Sequence, residues 1–405
     1  MLLGVMEIDV NLRDFSGWTP LCHAAMLGKE RVAQILLEDE RVQVNLGNKY
    51  SETPLTMAAS RGHGEVVKLL LKRPDIEVNS QDQAGRTPLS SAIAREQIPV
   101  VNYEEVVRLL LEDKRTDANL PDTALKTPLH HACENSKARI VKFLLAHPSI
   151  NPNAQDSALS TPLSLAVRMG HYAGAESTVD ALLSDSRVLV NLKNQDELTS
   201  LHLAVEYAKI PVVRRLISDP RVDVNSRNLT LQTPLHTAAT PTLNFDQDEI
   251  IETLLARPDV DVNARDQSGM TPLSTALRAI SPAWPIQVES LVEIFLKCQR
   301  VDANLLDNQG KGPLHFAVER GGDGKALEML LKHEGINVGV KDLERRNLLE
   351  FAEAEESSVT VKQILRECLG REASRDEGRR GKGGEEEGEE EGEEEVNGEP
   401  REVVG

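Results

Sequence analysis

The chain has 405 residues, 40% of them hydrophobic but only 3% aromatic, and carries a formal net charge of −19. That acidity excludes binding that depends on clustered Lys and Arg displacing counterions from phosphates, so nucleic acid is not expected as a partner. No apolar run reaches the ~18 residues of a membrane helix, "MLLGVMEIDV" is too short and acidic for a signal peptide, and Cys22, Cys133, Cys298 and Cys368 read as reduced thiols, so an intracellular protein, cytoplasmic rather than nuclear and away from membranes, is expected.

Residues 1–10 form a partial unit. Leu3 lies eight residues before Asn11, the interval that closes every later second helix, so "MLLGVMEIDVN" reads as the last turn of a helix without its partner. The first complete unit is therefore expected to turn an apolar face to water, as in a chain cut from a longer array.

From "RDFSGWTPLCHAA" onward one pattern repeats. Its anchors, Thr or an equivalent, stand at 19, 53, 87, 127, 161, 199, 233, 271, 312 and 347. Leu follows each anchor by two residues, from Leu21 to Leu349, and Ala by five, from Ala24 to Ala352. Thr before Pro is a helix N-cap with Pro at the first helical position, where its missing N–H costs nothing. Leu and Ala three apart share a helix face, and Ala permits close approach of a neighbour. A second helix follows with an apolar stripe such as "VVKLLL" or "IVKFLL".

From the last Leu or Ile of that stripe to an Asn is always eight residues, and eight more lead to the next anchor, Gly339 replacing Asn once. Asp or Asn recurs three residues after that position, from Asp14 to Asp342, and residues of this kind set turns by bonding their own backbone. All extra length falls between the two helices, in "EQIPVVNYEE", "MGHYAGAES", "TPTLNFDQDE", "RAISPAWPIQVES" and "RGGDGKALEM". The inter-unit packing is thus held fixed while one edge loop varies.

These residues resemble the ankyrin repeat, whose motif is D-x-x-G-x-T-P-L-H-x-A, over roughly residues 1–370. The resemblance implies an all-α repeat solenoid, an ankyrin-type stack of about ten helix-turn-helix units with extended hairpin fingers. Tetratricopeptide arrays share the 34-residue period, but their Trp and Gly-Tyr positions are absent here. The hairpin Gly survives only as Gly17, Gly85, Gly269 and Gly310. Leu125, Leu159 and Leu231 replace it elsewhere, and because Leu tolerates positive φ poorly those fingertips are expected to bend differently. The motif His is kept as His130, His202, His236 and His315, and the copies lacking it are expected to have weaker helix starts. Ser200 and Leu348 replace the Pro, making the sixth and tenth copies the least typical.

The tenth copy closes through "SSVTVKQILREC". Residues 371–405, six Lys/Arg against fourteen Asp/Glu with almost no apolar content, are expected to be an acidic disordered tail, and "RDEGRRGKGG" reads as a solvated linker.

His130, His131 and Cys133 sit close in sequence, but His130 fills the repeat position and adjacent helical residues point about 100° apart, so no metal site is expected. "GGDGKALE" lacks the GxxxxGK[ST] spacing and a preceding strand, so no nucleotide or other cofactor is expected. No catalytic set appears beyond repeat positions, which predicts a protein that is not an enzyme.

Phe143, Phe295, Phe316 and Phe351 read as core. The other large aromatics fall on the first two fingers, as Phe15, Trp18 and Tyr50, and in or beside the inserted loops, as Tyr103, Tyr172, Phe245 and Trp284. Exposed aromatics on rigid scaffolds serve as interaction anchors, so these seven are the candidate partner-binding residues. The resemblance implies docking on fingers and first helices. The expected function is a monomeric protein-binding scaffold with a long acidic groove that draws basic partner segments. The alternative is the C-terminal ligand-sensing arm of a larger NACHT-type receptor, whose repeats have a similar texture ("LLARPDVDVNARDQSGMTPL").

Overall fold

Each anchor starts a helix, and local chemistry explains why. Thr19, Thr53 and Thr161 have extended backbone, their hydroxyls accept the N–H of the residue three later, and Pro follows. This satisfies one of the N–H groups that a helix start leaves without a partner. The tenth copy lacks Thr and Pro yet caps itself, because Asn347 and Glu350 bond each other's backbone reciprocally.

The computed structural model describes residues 8–94, 101–169, 174–207, 210–240, 246–278, 285–320 and 324–380. In chain order the helices begin with α1 (Pro20–Met26), α2 (Glu30–Leu37), α3 (Pro54–Ser60), α4 (Gly64–Leu71), α5 (Pro88–Ala94) and α6 (Val101–Glu112). Next come α7 (Pro128–Glu134), α8 (Ala138–Ala146), α9 (Pro162–Arg168), α10 (Ala175–Leu183), α11 (Ser200–Tyr207) and α12 (Ile210–Ile217). The last are α13 (Pro234–Ala239), α14 (Gln247–Leu255), α15 (Pro272–Arg278), α16 (Pro285–Lys297), α17 (Pro313–Arg320), α18 (Lys325–Lys332), α19 (Leu348–Ala354) and α20 (Val359–Arg380). Odd-numbered helices pack on one another in succession from α1 to α19, and even-numbered ones from α2 to α20. The result is an all-α solenoid of two helical layers, as expected, with turns rather than paired strands in the fingers among the described residues.

The recurrent Ala is buried in all ten copies, and the recurrent Leu in nine. In the tenth copy Leu348, standing where Pro stands in most copies, is buried, while Leu349 is half-buried. Fully burying such a Leu stabilises by roughly 1.5–3 kcal/mol, and here the burial comes from the neighbouring copy as much as from its own.

The fixed eight-residue intervals have a polar cause as well. Asn153 Nδ2 donates to the Arg187 carbonyl at 2.8 Å, and its Oδ1 accepts the Leu189 N–H at 2.7 Å. Asn11, Asn45, Asn79, Asn119, Asn191, Asn225, Asn263 and Asn304 make the same pair of bonds to the following copy. A shift of one residue would break both bonds. Gly339 stands in the tenth copy, where α20 follows instead of another hairpin.

A second tie runs along the even helices. Arg115 donates to the Leu71 carbonyl at 2.9 Å, and Arg73 to the Leu37 carbonyl at 3.0 Å, so each caps the C-terminal end of the preceding copy's helix. Arg187, Arg221, Arg257 and Arg300 do likewise. Asp113 holds Arg115, and that bond keeps its carboxyl below the usual carboxylate range. In "KRPD" the order of Arg and Asp is exchanged, and Asp75 holds Arg73. His147 and His333 occupy the place of the Arg in copies four and nine.

Two expectations are corrected. Leu125, Leu159 and Leu231 have φ of 59°, 56° and 59°, in the same left-handed region as Gly17 and Gly85. Ser51, Glu197 and Arg345 share it. The fingertips do not bend differently, because the preceding Asp or Asn dictates the turn. In the fourth copy the Asp122 Oδ1 accepts the N–H groups of Ala124 and Lys126, and its carbonyl accepts that of Leu125. The turn bonds outweigh a left-handed cost of about 1–2 kcal/mol per Leu. At the other end α20 runs to Arg380, past the expected boundary at 370, consistent with the good helix formers in "REASRDEGRR". Residues 381–405 lie outside the described residues.

Candidate functional site

The ten Asp/Asn turns set the fingertips in a row beside the odd-numbered helices. Backbone rungs join adjacent tips, with Lys49 N–H donating to Ser16 O at 3.1 Å and Gln83 N–H to Tyr50 O at 3.0 Å. On the first two tips the large side chains point into water: Phe15 is 99% exposed and Tyr50 64%. Trp18 is half-buried, with its ring 4.9 Å from that of His23, which is itself bonded to Asp14 at 3.0 Å. The structure thus brings Phe15, Trp18 and Tyr50 to one end of the finger row.

The rung is missing between the sixth and seventh fingers, where Leu229 N–H and Asp196 O make no such bond among the described residues. A cavity of about 440 Å³ opens there, lined by Leu198, Val205, Leu229, Thr237 and Ile250, with Asp196 and Glu206 at its edge. α13 is one residue shorter than most first helices, and Gln247 donates to Ala238 O and Thr240 O where that helix stops. The residues that shape this cavity drew no attention in the sequence. The available signal was Leu198, at a position that carries Lys126 and Lys311 in the fourth and ninth copies.

The family model for ankyrin repeats matches residues 1–82, 44–122, 100–177, 171–266 and 242–342. The chain is an ankyrin-repeat protein. Ankyrin repeats are generally protein–protein interaction modules, and the family is typically non-enzymatic. No curated protein matches the chain.

Among the ankyrin motif residues, the four histidines are structural. Thr127 donates its N–H to His130 Nδ1 at 3.1 Å, which leaves the proton on Nε2 to donate to Ser160 O of the next copy at 3.1 Å. His202 and His236 repeat this arrangement to Gln232 O and Met270 O. Burial lowers the pKa of all four, that of His202 to about 4. Where the His is absent the helix start is still capped, as by Ser164 and Thr161; what Ser164 does not supply is the bond to the next copy.

His131 is bonded to Asp122 at 2.9 Å while His130 reaches Ser160, so the two rings serve different partners. Burial pushes the Cys133 thiol far above its usual pKa. Gly324 has φ +81°, and a Cβ there would meet Ile364 at 2.5 Å, so close packing explains the glycine of "GGDGK".

Tyr103 is corrected. It is 2% exposed on α6, and its hydroxyl donates to the Ser60 carbonyl at 3.2 Å, at the end of α3. In other copies His63, Lys137 and Ser357 bond the end of the preceding first helix. The longer loop of the third copy delivers a Tyr to the same task, which removes it from any exposed surface. Phe143 is corrected in the opposite sense, being 40% exposed on α8, whereas Phe295, Phe316 and Phe351 are buried. Tyr172, Phe245 and Trp284 lie outside the described residues. On the second helix of the first copy Val32 is 49% exposed, whereas Val66 at the same position of the second copy is fully buried.

The charge of the ankyrin finger face is local rather than uniformly acidic. Lys126 pairs with Glu134 at 2.8 Å, Lys311 with Glu319 at 2.9 Å, and Arg86 with Asp82 at 2.9 Å. Among the described residues no helix is long and apolar enough to cross a membrane.

Proposed function

We propose that this ankyrin array is a monomeric, non-enzymatic scaffold that binds a partner protein through its fingers and first helices. The observation that carries the reading is the pairing of Phe15 and Tyr50, both exposed on neighbouring fingers joined by a backbone rung, beside half-buried Trp18. Large apolar side chains held out on a bonded framework lose little entropy on docking, which suits them as anchors. Basic segments on the partner complement the acidic chain, so affinity falls as salt rises.

The test is crosslinking capture of partners from native lysate with the full chain, compared with Phe15→Ala/Tyr50→Ala and with Trp18→Ala. Loss of a reproducible partner with either variant supports the reading, and full retention with both contradicts this placement of the site. A partner whose capture is unchanged between low and high salt removes the electrostatic part.

A further inference from the structure

Resting on that reading but using a different place in the array, we propose that the cavity between the sixth and seventh fingers receives a large apolar side chain of an extended partner peptide, and that a Lys or Arg beside it in the peptide binds Glu206 and Asp196.

The repeat itself supplies the argument. In the fourth copy the residue before the helix cap is Lys126, and it neutralises Glu134, eight residues later, at 2.8 Å. In the ninth copy Lys311 does the same for Glu319 at 2.9 Å. The sixth copy keeps the carboxylate, as Glu206, but places Leu198 where the Lys should stand. The seventh finger offers Gln232 at that position, again without charge. Neither Glu206 nor Asp196 forms an ion pair among the described residues, and the nearby Arg168 pairs with neither. The carboxylate acts on its surroundings, since Glu206 holds the phenol of Tyr207, which is 52% exposed, above its ordinary pKa. The array has thus lost its own cation at a junction where the rung between two fingers is also missing.

The cavity gives that vacancy its neighbour. Leu198, replacing the Lys, turns an apolar side chain to the opening, and Val205, Leu229 and Ile250 complete an apolar lining. Leu229 is 64% exposed at the fingertip, so the rim is apolar as well. At about 440 Å³ the space exceeds one aromatic side chain, and it falls within the range of specific binding clefts. An apolar residue inside with a cation at the rim matches the linked features of the site. An acidic or wholly polar peptide matches neither.

The test uses phage-displayed random dodecapeptides selected on the full chain and counter-selected on Thr237→Trp, which fills the cavity from α13. Recovered peptides are then measured by fluorescence anisotropy. The expected result is enrichment of Leu, Phe, Trp or Met within three positions of Lys or Arg. Binding should weaken at least tenfold with Thr237→Trp and about fivefold with Glu206→Gln. The Glu206→Gln loss should vanish for a peptide whose Lys is replaced by norleucine, which separates a lost ion pair from a damaged fold. Peptides that bind the Thr237→Trp chain equally, or no enrichment above that on the Thr237→Trp chain, overturn the proposal. Peptides lost instead with Phe15→Ala/Tyr50→Ala also overturn it while leaving the docking function standing.

Discussion

His130 on α7 donates from Nε2 to the carbonyl of Ser160 in the following copy, 3.1 Å away, while its Nδ1 accepts from its own helix cap at Thr127. One neutral ring thereby starts a helix and ties two copies together. His202 and His236 do the same, so three joints of the array depend on an imidazole staying unprotonated.

The dependence on pH follows. Burial lowers these pKa values, that of His202 from 6.5 to about 4. The unfolded chain therefore binds protons first as pH falls, so their contribution is complete above about 6.5 and is lost towards about 4. For His202 the full loss is about 3 kcal/mol. Thermal melts of the full chain from pH 7.5 to 4.5 should show falling Tm, and His202→Ser should flatten part of that slope. Ser already occupies this position as Ser90, Ser164 and Ser274, so the variant should fold, about 1 kcal/mol less stable at pH 7.5. An unchanged slope would contradict the assignment.

Asn153→Ala removes both bonds to the following hairpin, at Arg187 and Leu189, and should cost about 1–2 kcal/mol in urea unfolding. Gly339→Asn, at the same position of the last copy, should change stability by less than about 0.5 kcal/mol, because α20 offers no hairpin to bond.

Leu159→Gly should stabilise the chain by about 1 kcal/mol, since Leu159 sits at φ 56° and is 47% exposed. Gly85→Ala should do the reverse by a similar amount or more, because φ is +75° and a Cβ there would meet Thr123 N at 2.7 Å. Paired differential scanning calorimetry reads both signs.

The fourth copy lacks its arginine clamp. His147 bonds Ser149 locally at 2.8 Å, leaving the Arg position of "KRPD" unfilled. His147→Arg with Ser149→Asp rebuilds the pair seen at Arg73 and Asp75, aimed at the end of α6, and should raise stability by about 1 kcal/mol. A double variant no more stable than Ser149→Asp alone would show that the clamp contributes little.

Much of the fold was legible because its period is enforced by contacts each copy makes with the next. Leu at +2, Ala at +5 and the Asp turn all recur at fixed spacing, and each has a local physical reason. The arginine clamp escaped notice because Arg and Asp exchange places between "EDER" and "KRPD", so no single position repeats. Leu125 misled because residue preference argued against a turn that Asp122 imposes. Tyr103 misled because an aromatic beside a longer loop can serve a helix end as well as a partner. The cavity at Glu206 was hidden for a different reason: it is marked by a charge that fails to recur, and a missing partner shows only once the paired copies have been seen in three dimensions.

Neighbouring copies hold each other, so that the finger face rests on one continuous support. Hydrogen–deuterium exchange of the full chain carrying Asn153→Ala and Arg187→Ala, which cut two of the ties around the fourth and fifth copies while leaving the His130 bond to Ser160, tests this most directly. The expected result is faster exchange across α7 to α10, on both sides of the cut, while α1 and α2 keep their protection. Exchange that rises only at residues 153 and 187, with α7 to α10 as protected as before, would contradict it.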